Sequence, residues 1–370
     1  LNLPVVPITD LAIQKREKEL VVATQGRSFW ILDDLPLLHQ MMDAGGLSAA
    51  GETRLYKSKE SYRMPGGGGA PLPASATVGR NPANGVVVYY SLKDKPATEV
   101  EIEFLDQAGK SIRKFTGRVR KPGEAPTPPP APAGEGGFGA PPPPPVPMEV
   151  GLNRFVWDPR HADALRFPGM ILWAGDTRGP KMPPGTYQIK LTVDGKSLMQ
   201  NFEIKADPRL STTPADYAKQ LELGLKIRDK LTETHNAIIQ IRDVRKQIED
   251  LLKRVAGQAN FKVVNDAGTA LNKNLTTIEE ALYQTKNQSS QDPLNYPIRL
   301  NNKLAALGGV VGSAEAAPTA QSYAVYDELA TQIDAELQRL AQIMRTDVPA
   351  FNQLVRDQNI PAVVVKPPSP

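Results

Sequence analysis

Beyond Asp207 the apolar residues stop alternating along the chain and begin to recur every three to four positions. That change of period, from two to about 3.5, divides the sequence into a β part and an α part and excludes any single repeating architecture. On the helical side, Leu221, Leu225, Leu231, Ile238, Ile241, Ile248, Leu252 and Val255 mark the apolar face of one long helix, which Thr213 and Pro214 would start. Leu271, Leu275, Ile278 and Leu282 form a second stripe, and Leu300, Leu304, Leu307 and Val311 a third. Tyr326, Ile333, Leu337, Leu340 and Met344 form a fourth, behind Pro318 and Thr319. Four amphipathic helices with short connections predict an antiparallel helical bundle over 211–356, followed by a loose tail at 357–370.

Ahead of the change, short runs with a period of two alternate with turn residues. Ile8–Ile13, Leu20–Thr24 and Ser28–Leu32 predict a small antiparallel meander within 1–38. From 53 to 208 the strands resume as Gly85–Leu92, Thr98–Leu105, Ser111–Val119 and Gly151–Asp158. A hairpin closes the series, with Asp194–Gly195 between Gly185–Val193 and Ser197–Ile204. At least six short strands at this spacing predict a β-sandwich. Its pattern is interrupted at 120–147: between Pro122 and Pro147 stand 12 prolines and 5 glycines in 26 residues, a stretch with too few ladder donors for a sheet and too little apolar surface for a core. Met64–Pro73, with four consecutive glycines, is a second such break.

Composition narrows the chemistry. The chain of 370 residues has no cysteine, which removes disulfide frameworks, thiolate metal sites and cysteine nucleophiles. The three histidines, His39, His161 and His235, are too far apart in sequence to form a local ligand pair. A net charge of +4 is small for this length and predicts no nucleic-acid partner, and no run approaches the ~20 apolar residues of a membrane span. The basic run Arg242, Arg245, Lys246, Lys253, Arg254 is interleaved with Asp243, Glu249 and Asp250, as on a solvated helix face.

At the first segment the residues become recognisable. Pro7-Ile-Thr-Asp-Leu-Ala-Ile13 followed by Glu19-Leu-Val-Val-Ala-Thr-Gln-Gly-Arg-Ser-Phe-Trp-Ile-Leu-Asp-Asp34 resembles the last blade of a sortilin-like (Vps10-type) β-propeller. Such propellers occur in bacterial secreted proteins named BNR-repeat glycosyl hydrolases or WD40/YVTN/BNR-like repeat proteins. Gly151-Leu-Asn-Arg-Phe-Val-Trp-Asp158, Arg166-Phe-Pro-Gly-Met170 and Pro184-Gly-Thr-Tyr-Gln-Ile-Lys-Leu191 are similar to the Ig-like module that follows those propellers. The segment Asn287–Lys303 is similar to part of their helical tail.

The resemblance implies a multidomain β + α fold: a partial propeller blade at 1–38, an Ig-like (fibronectin III-like) sandwich at 53–208 and the helical bundle. It also implies that Leu1 marks a cut through a propeller and that the parent is secreted or periplasmic. The parent would be a glycosyl hydrolase with its active site upstream, this region being non-catalytic; the alternative is a propeller that binds glycan or protein without hydrolysis. The implied partner is the upstream propeller of the same polypeptide. The Ser-x-Asp-x-Gly-x-Thr-Trp box of these propellers is absent from the sequence, so no family catalytic residue transfers.

The remaining candidates are few, and no cofactor or metal site is expected among them. Asp33 and Asp34 are adjacent at a strand end, which suits a turn better than the two carboxylates of a glycosidase. Arg27, in the turn before Trp30, and Trp173, in an irregular stretch, are the candidate ligand or glycan contacts. Phe155 and Trp157 share one side of their strand, the side that faces a sandwich core. Phe167 and Tyr187 complete the aromatic set. Gly134, Gly136 and Gly139 satisfy Gly-x-Gly-x-x-Gly, but prolines flank them and no helix follows, which rejects a dinucleotide loop. His235 is read as a buried, satisfied histidine of the first long helix.

Overall fold

The computed structural model describes residues 3, 5–46, 52–64, 83–119, 145–256 and 261–360. Nearly all of the predicted proline-rich loop 120–147, most of the Met64–Pro73 break, the three glycines Gly134, Gly136 and Gly139 and most of the tail lie outside the described residues. The chain is a mixed structure, with sheets first and a helical region at its C-terminal end, and it divides into two compact units. Described residues up to 119, with 145–162 and 181–217, form the first; 163–180 and 218–360 form the second.

The first unit begins with three antiparallel strands, β1 (Ile8–Gln14), β2 (Glu19–Thr24) and β3 (Phe29–Leu32), in that spatial order. A short helix, α1 (Leu35–Asp43), follows. Two further sheets come after it. One is β4 (Arg54–Leu55), β6 (Val86–Leu92) and β9 (Gly151–Trp157), all antiparallel. The other runs β5 (Ser61–Arg63), β11 (Lys196–Ala206), β10 (Gly185–Val193), β7 (Glu99–Leu105), β8 (Ser111–Arg118), antiparallel except where β5 joins β11 in parallel.

Alternation explains why these two sheets share a core. Val86, Val88, Tyr90 and Leu92 on β6, Val100, Ile102 and Phe104 on β7, and Ile189 and Leu191 on β10 are wholly buried in one cluster drawn from both sheets. At its centre Phe104 stacks on Trp157 with ring centroids 3.9 Å apart, and Phe155 and Phe202 pack around them. The Asp194–Gly195 turn adopts positive φ at both residues, +47° and +84°, as a two-residue hairpin loop requires.

The second unit is built on α2 (Pro214–Val255), α3 (Phe261–Leu282), α4 (Leu300–Val311), α5 (Ala320–Arg345) and α6 (Asp347–Asp357). Thr213 caps α2 through a reciprocal exchange, its hydroxyl accepting from the Asp216 N–H while the Asp216 carboxylate accepts from the Thr213 N–H. All of the predicted residues on the α3 and α4 stripes are buried. On α2 the start of the stripe needs correcting: Leu223 and Ile227 are buried, whereas Leu221 and Leu225 are half-exposed. Stepping back from Leu231 by four gives 227 and 223; a step of six turns the helix about 600°, some 120° off that face.

Asp163–Pro180 lies between β9 and β10 in sequence yet belongs to the helical unit. Ala164, Phe167, Met170 and Leu172 from this strap are buried in the same core as the helices. Among the described residues no helix is long and apolar enough to cross a membrane.

Candidate functional site

In the β1–β3 meander the pairing register fixes which side chains share a face. Leu11 opposes Val22, which opposes Trp30; Ile13 opposes Leu20, which opposes Leu32. These six residues lie on one face. Ala12 opposes Val21 and Val21 opposes Ile31, while Ala23 opposes Phe29, so apolar residues also fill the middle of the other face, between Asp10 at one end and Gln14 and Glu19 at the other. Sheets with one solvated face alternate apolar and polar; continuous apolar runs such as Leu20–Ala23 and Phe29–Leu32 belong to strands covered on both sides. Here, of these residues, only Val22 is buried. Phe29 is 72 % exposed, Ile13 62 %, Leu11 59 % and Ile31 58 %.

The meander is nevertheless anchored within its unit. Asp34, in a left-handed conformation at φ 60°, accepts a hydrogen bond from the Tyr89 hydroxyl of β6 at 2.8 Å. Burial, with the Asp34 carboxylate second, pushes the Tyr89 phenol up to about 12. On α1, Gln40 pairs with the Lys57 backbone in both directions, accepting from its N–H at 2.8 Å and donating to its C=O at 3.1 Å. The Lys59 ammonium lies 3.5 Å from Glu17 and 3.4 Å from Glu19. Asp34 is thereby a structural acceptor, and Asp33 beside it is exposed.

Arg27 is exposed in the turn between β2 and β3, and its carbonyl accepts from the Trp30 indole N–H at 2.9 Å. Phe155, Trp157, Phe167 and Tyr187 are all buried. Trp173 is half-buried, and its backbone is clamped by one side chain: Asn302 accepts from the Trp173 N–H and donates to the Trp173 C=O, both at 2.7 Å.

The polar centre of the helical unit is His235 on α2, fully buried. Its Nδ1 bonds to the Leu165 carbonyl of the strap, and Nε2 lies 3.3 Å from Nδ2 of Asn301 on α4. With Nδ1 protonated and Nε2 accepting, the ring is neutral. Burial, the largest influence, and the positive charge of Arg166 both hold its affinity for a second proton below the ordinary histidine value. Phe167 stands edge-on to the ring with centroids 5.3 Å apart, and edge-on to Tyr283 at 5.0 Å. The Arg242 guanidinium covers Phe167 at 4.6 Å, and Arg242 and Arg245 both bind the buried carboxylate of Glu279 on α3, at 2.7 and 2.8 Å. Chemistry-bearing residues here hold the strap to the helices. Among the described residues no group of three or more acidic or histidine side chains is placed to hold a metal ion.

No protein family and no curated protein matches this chain. A solved structure titled pT26-6p aligns over 71 % of this chain and 46 % of its own length, at 11 % identity and a TM-score of 0.12. This chain thus spans less than half of that one, and a likeness at that TM-score says nothing of fold or function.

Proposed function

We propose that this chain is the non-catalytic C-terminal region of a secreted or periplasmic sortilin-like, BNR-repeat propeller protein, a glycosyl hydrolase whose active site lies in upstream blades. The observation that carries the reading is the meander, which has apolar side chains on both faces and leaves Leu11 and Ile13 on one and Phe29 and Ile31 on the other exposed. A propeller blade is a sheet stacked between two others, and the side chains Leu11, Ile13, Phe29 and Ile31 are those such neighbours would cover.

The anchoring contacts supply a role for the two-sheet domain. Asp34–Tyr89, Gln40–Lys57 and Lys59 with Glu17 and Glu19 fix the blade's end to rigid strands, so the Ig-like sandwich braces the propeller. Arg27 and Trp173 remain candidate contacts for a glycan or protein ligand. An assay of this chain on chromogenic glycosides tests the non-catalytic reading. No turnover is expected; turnover that disappears in Asp33→Asn or Asp34→Asn would overturn it.

A further inference from the structure

We propose that the strap Asp163–Pro180 is an acid-sensitive latch, closed on the helices while His235 is neutral and loosened when His235 gains a second proton. The inference is independent of the propeller reading and rests on the donor and acceptor geometry around one buried ring.

In the neutral state both ring nitrogens are used. Nδ1–H donates to the Leu165 carbonyl and Nε2 accepts from the Asn301 amide. Protonation places an N–H on Nε2, opposite the Asn301 Nδ2 donor, and turns an attractive contact into a repulsive one. Among the described residues no carboxylate pairs with the charge it adds. Arg166 on the strap and Arg242 and Arg245 on α2 carry the same sign, and the Glu279 carboxylate on α3 is already shared between the two α2 arginines. Tyr283, just beyond α3, stands edge-on to Phe167, which stands edge-on to the ring, and α4 contributes the neutral Asn301. An unpaired charge in a wholly buried position favours any rearrangement that admits water, and the strap is the element whose release does so.

The strap is held by bonds that this release would break together. The Leu165 N–H donates to the Thr232 hydroxyl at 3.2 Å, the Ile171 N–H to the Tyr283 hydroxyl at 3.0 Å and the Trp173 N–H to Asn302 at 2.7 Å. A competing response is built into the same site. The Asn301 Oδ1 is buried without a partner, and a turned amide would present that acceptor to the new N–H. In that case His235 titrates and the strap stays closed.

Hydrogen exchange of the full chain, followed by mass spectrometry at about pH 7.5 and about pH 5 with labelling times matched for intrinsic rates, separates the two. The expected result is a loss of protection of roughly tenfold at Leu165, Ile171 and Trp173 in acid, with β6 and β7 unchanged. His235→Gln, which keeps a donor and an acceptor but cannot titrate, should abolish that dependence. Should His235→Gln fail to fold, Asn301→Asp decides, because its carboxylate pairs with the protonated ring and should keep the strap protected at about pH 5. Equal strap protection at both pH values in the natural chain overturns the proposal. So does an undiminished acid response in His235→Gln, or in Asn301→Asp where that variant decides.

Discussion

Asp194 sits in the β10–β11 turn, and its carboxylate accepts from the Ala97 and Thr98 N–H groups and from the Thr98 hydroxyl, each at 2.8 Å. Those bonds, the Ala97 N–H foremost, hold its carboxyl down at about 2. With the folded value depressed, the stabilisation is present above the ordinary aspartate range and is lost as pH falls through about 2. Asp194→Ala should lower the melting temperature at neutral pH and flatten the acid limb of the stability curve; equal melting temperatures would refute the tie. Gly85 is constrained differently: at φ +149° an added Cβ would lie 2.3 Å from the Trp157 carbonyl oxygen, so a side chain meets backbone that cannot yield. Gly85→Ala should cost about 1–3 kcal/mol in urea unfolding. Glu279 is buried between two partly exposed arginines, and Glu279→Ala should cost about 3 kcal/mol by the same measurement, much of it from the stranded guanidinium groups.

Among the elements, those with a clean period were legible. The strands from β6 to β11 and the stripes of α3 and α4 follow from alternation and four-residue steps, because burial there is periodic. Helix α1 was not: its nine residues bury no side chain fully, and Leu35, Leu38 and Met42 repeat at helical spacing over little more than two turns behind a left-handed Asp34, too short a run to read as a helix. Place in sequence puts the strap in the sandwich, whereas its buried residues pack with the helices, a long-range choice that no local pattern encodes. His235 was readable as a buried, satisfied histidine, but its partners Leu165 and Asn301 stand 70 and 66 positions away. At this scale α1 and Asp34 make the meander's hold on its unit testable. Tyr89→Phe removes the donor to Asp34 and should speed amide exchange in Glu19–Thr24 without affecting β7; unchanged exchange would show that the other anchors suffice.

For the whole molecule, the central claim is that the first sheet is a blade with neighbours to come. The absence of cysteine makes the claim directly measurable, since a single introduced thiol is the only one present. Phe29→Cys and Leu11→Cys place that thiol on opposite faces of the meander, and Lys286→Cys places one on an exposed helical-unit loop as a control. Maleimide labelling is compared between this chain and a longer polypeptide carrying the upstream sequence. The account predicts rapid labelling of all three in this chain, and in the longer protein a slowing of roughly tenfold or more at 29 and 11 but not at 286. Labelling at 29 and 11 that is as fast in the longer protein as in this chain would contradict it.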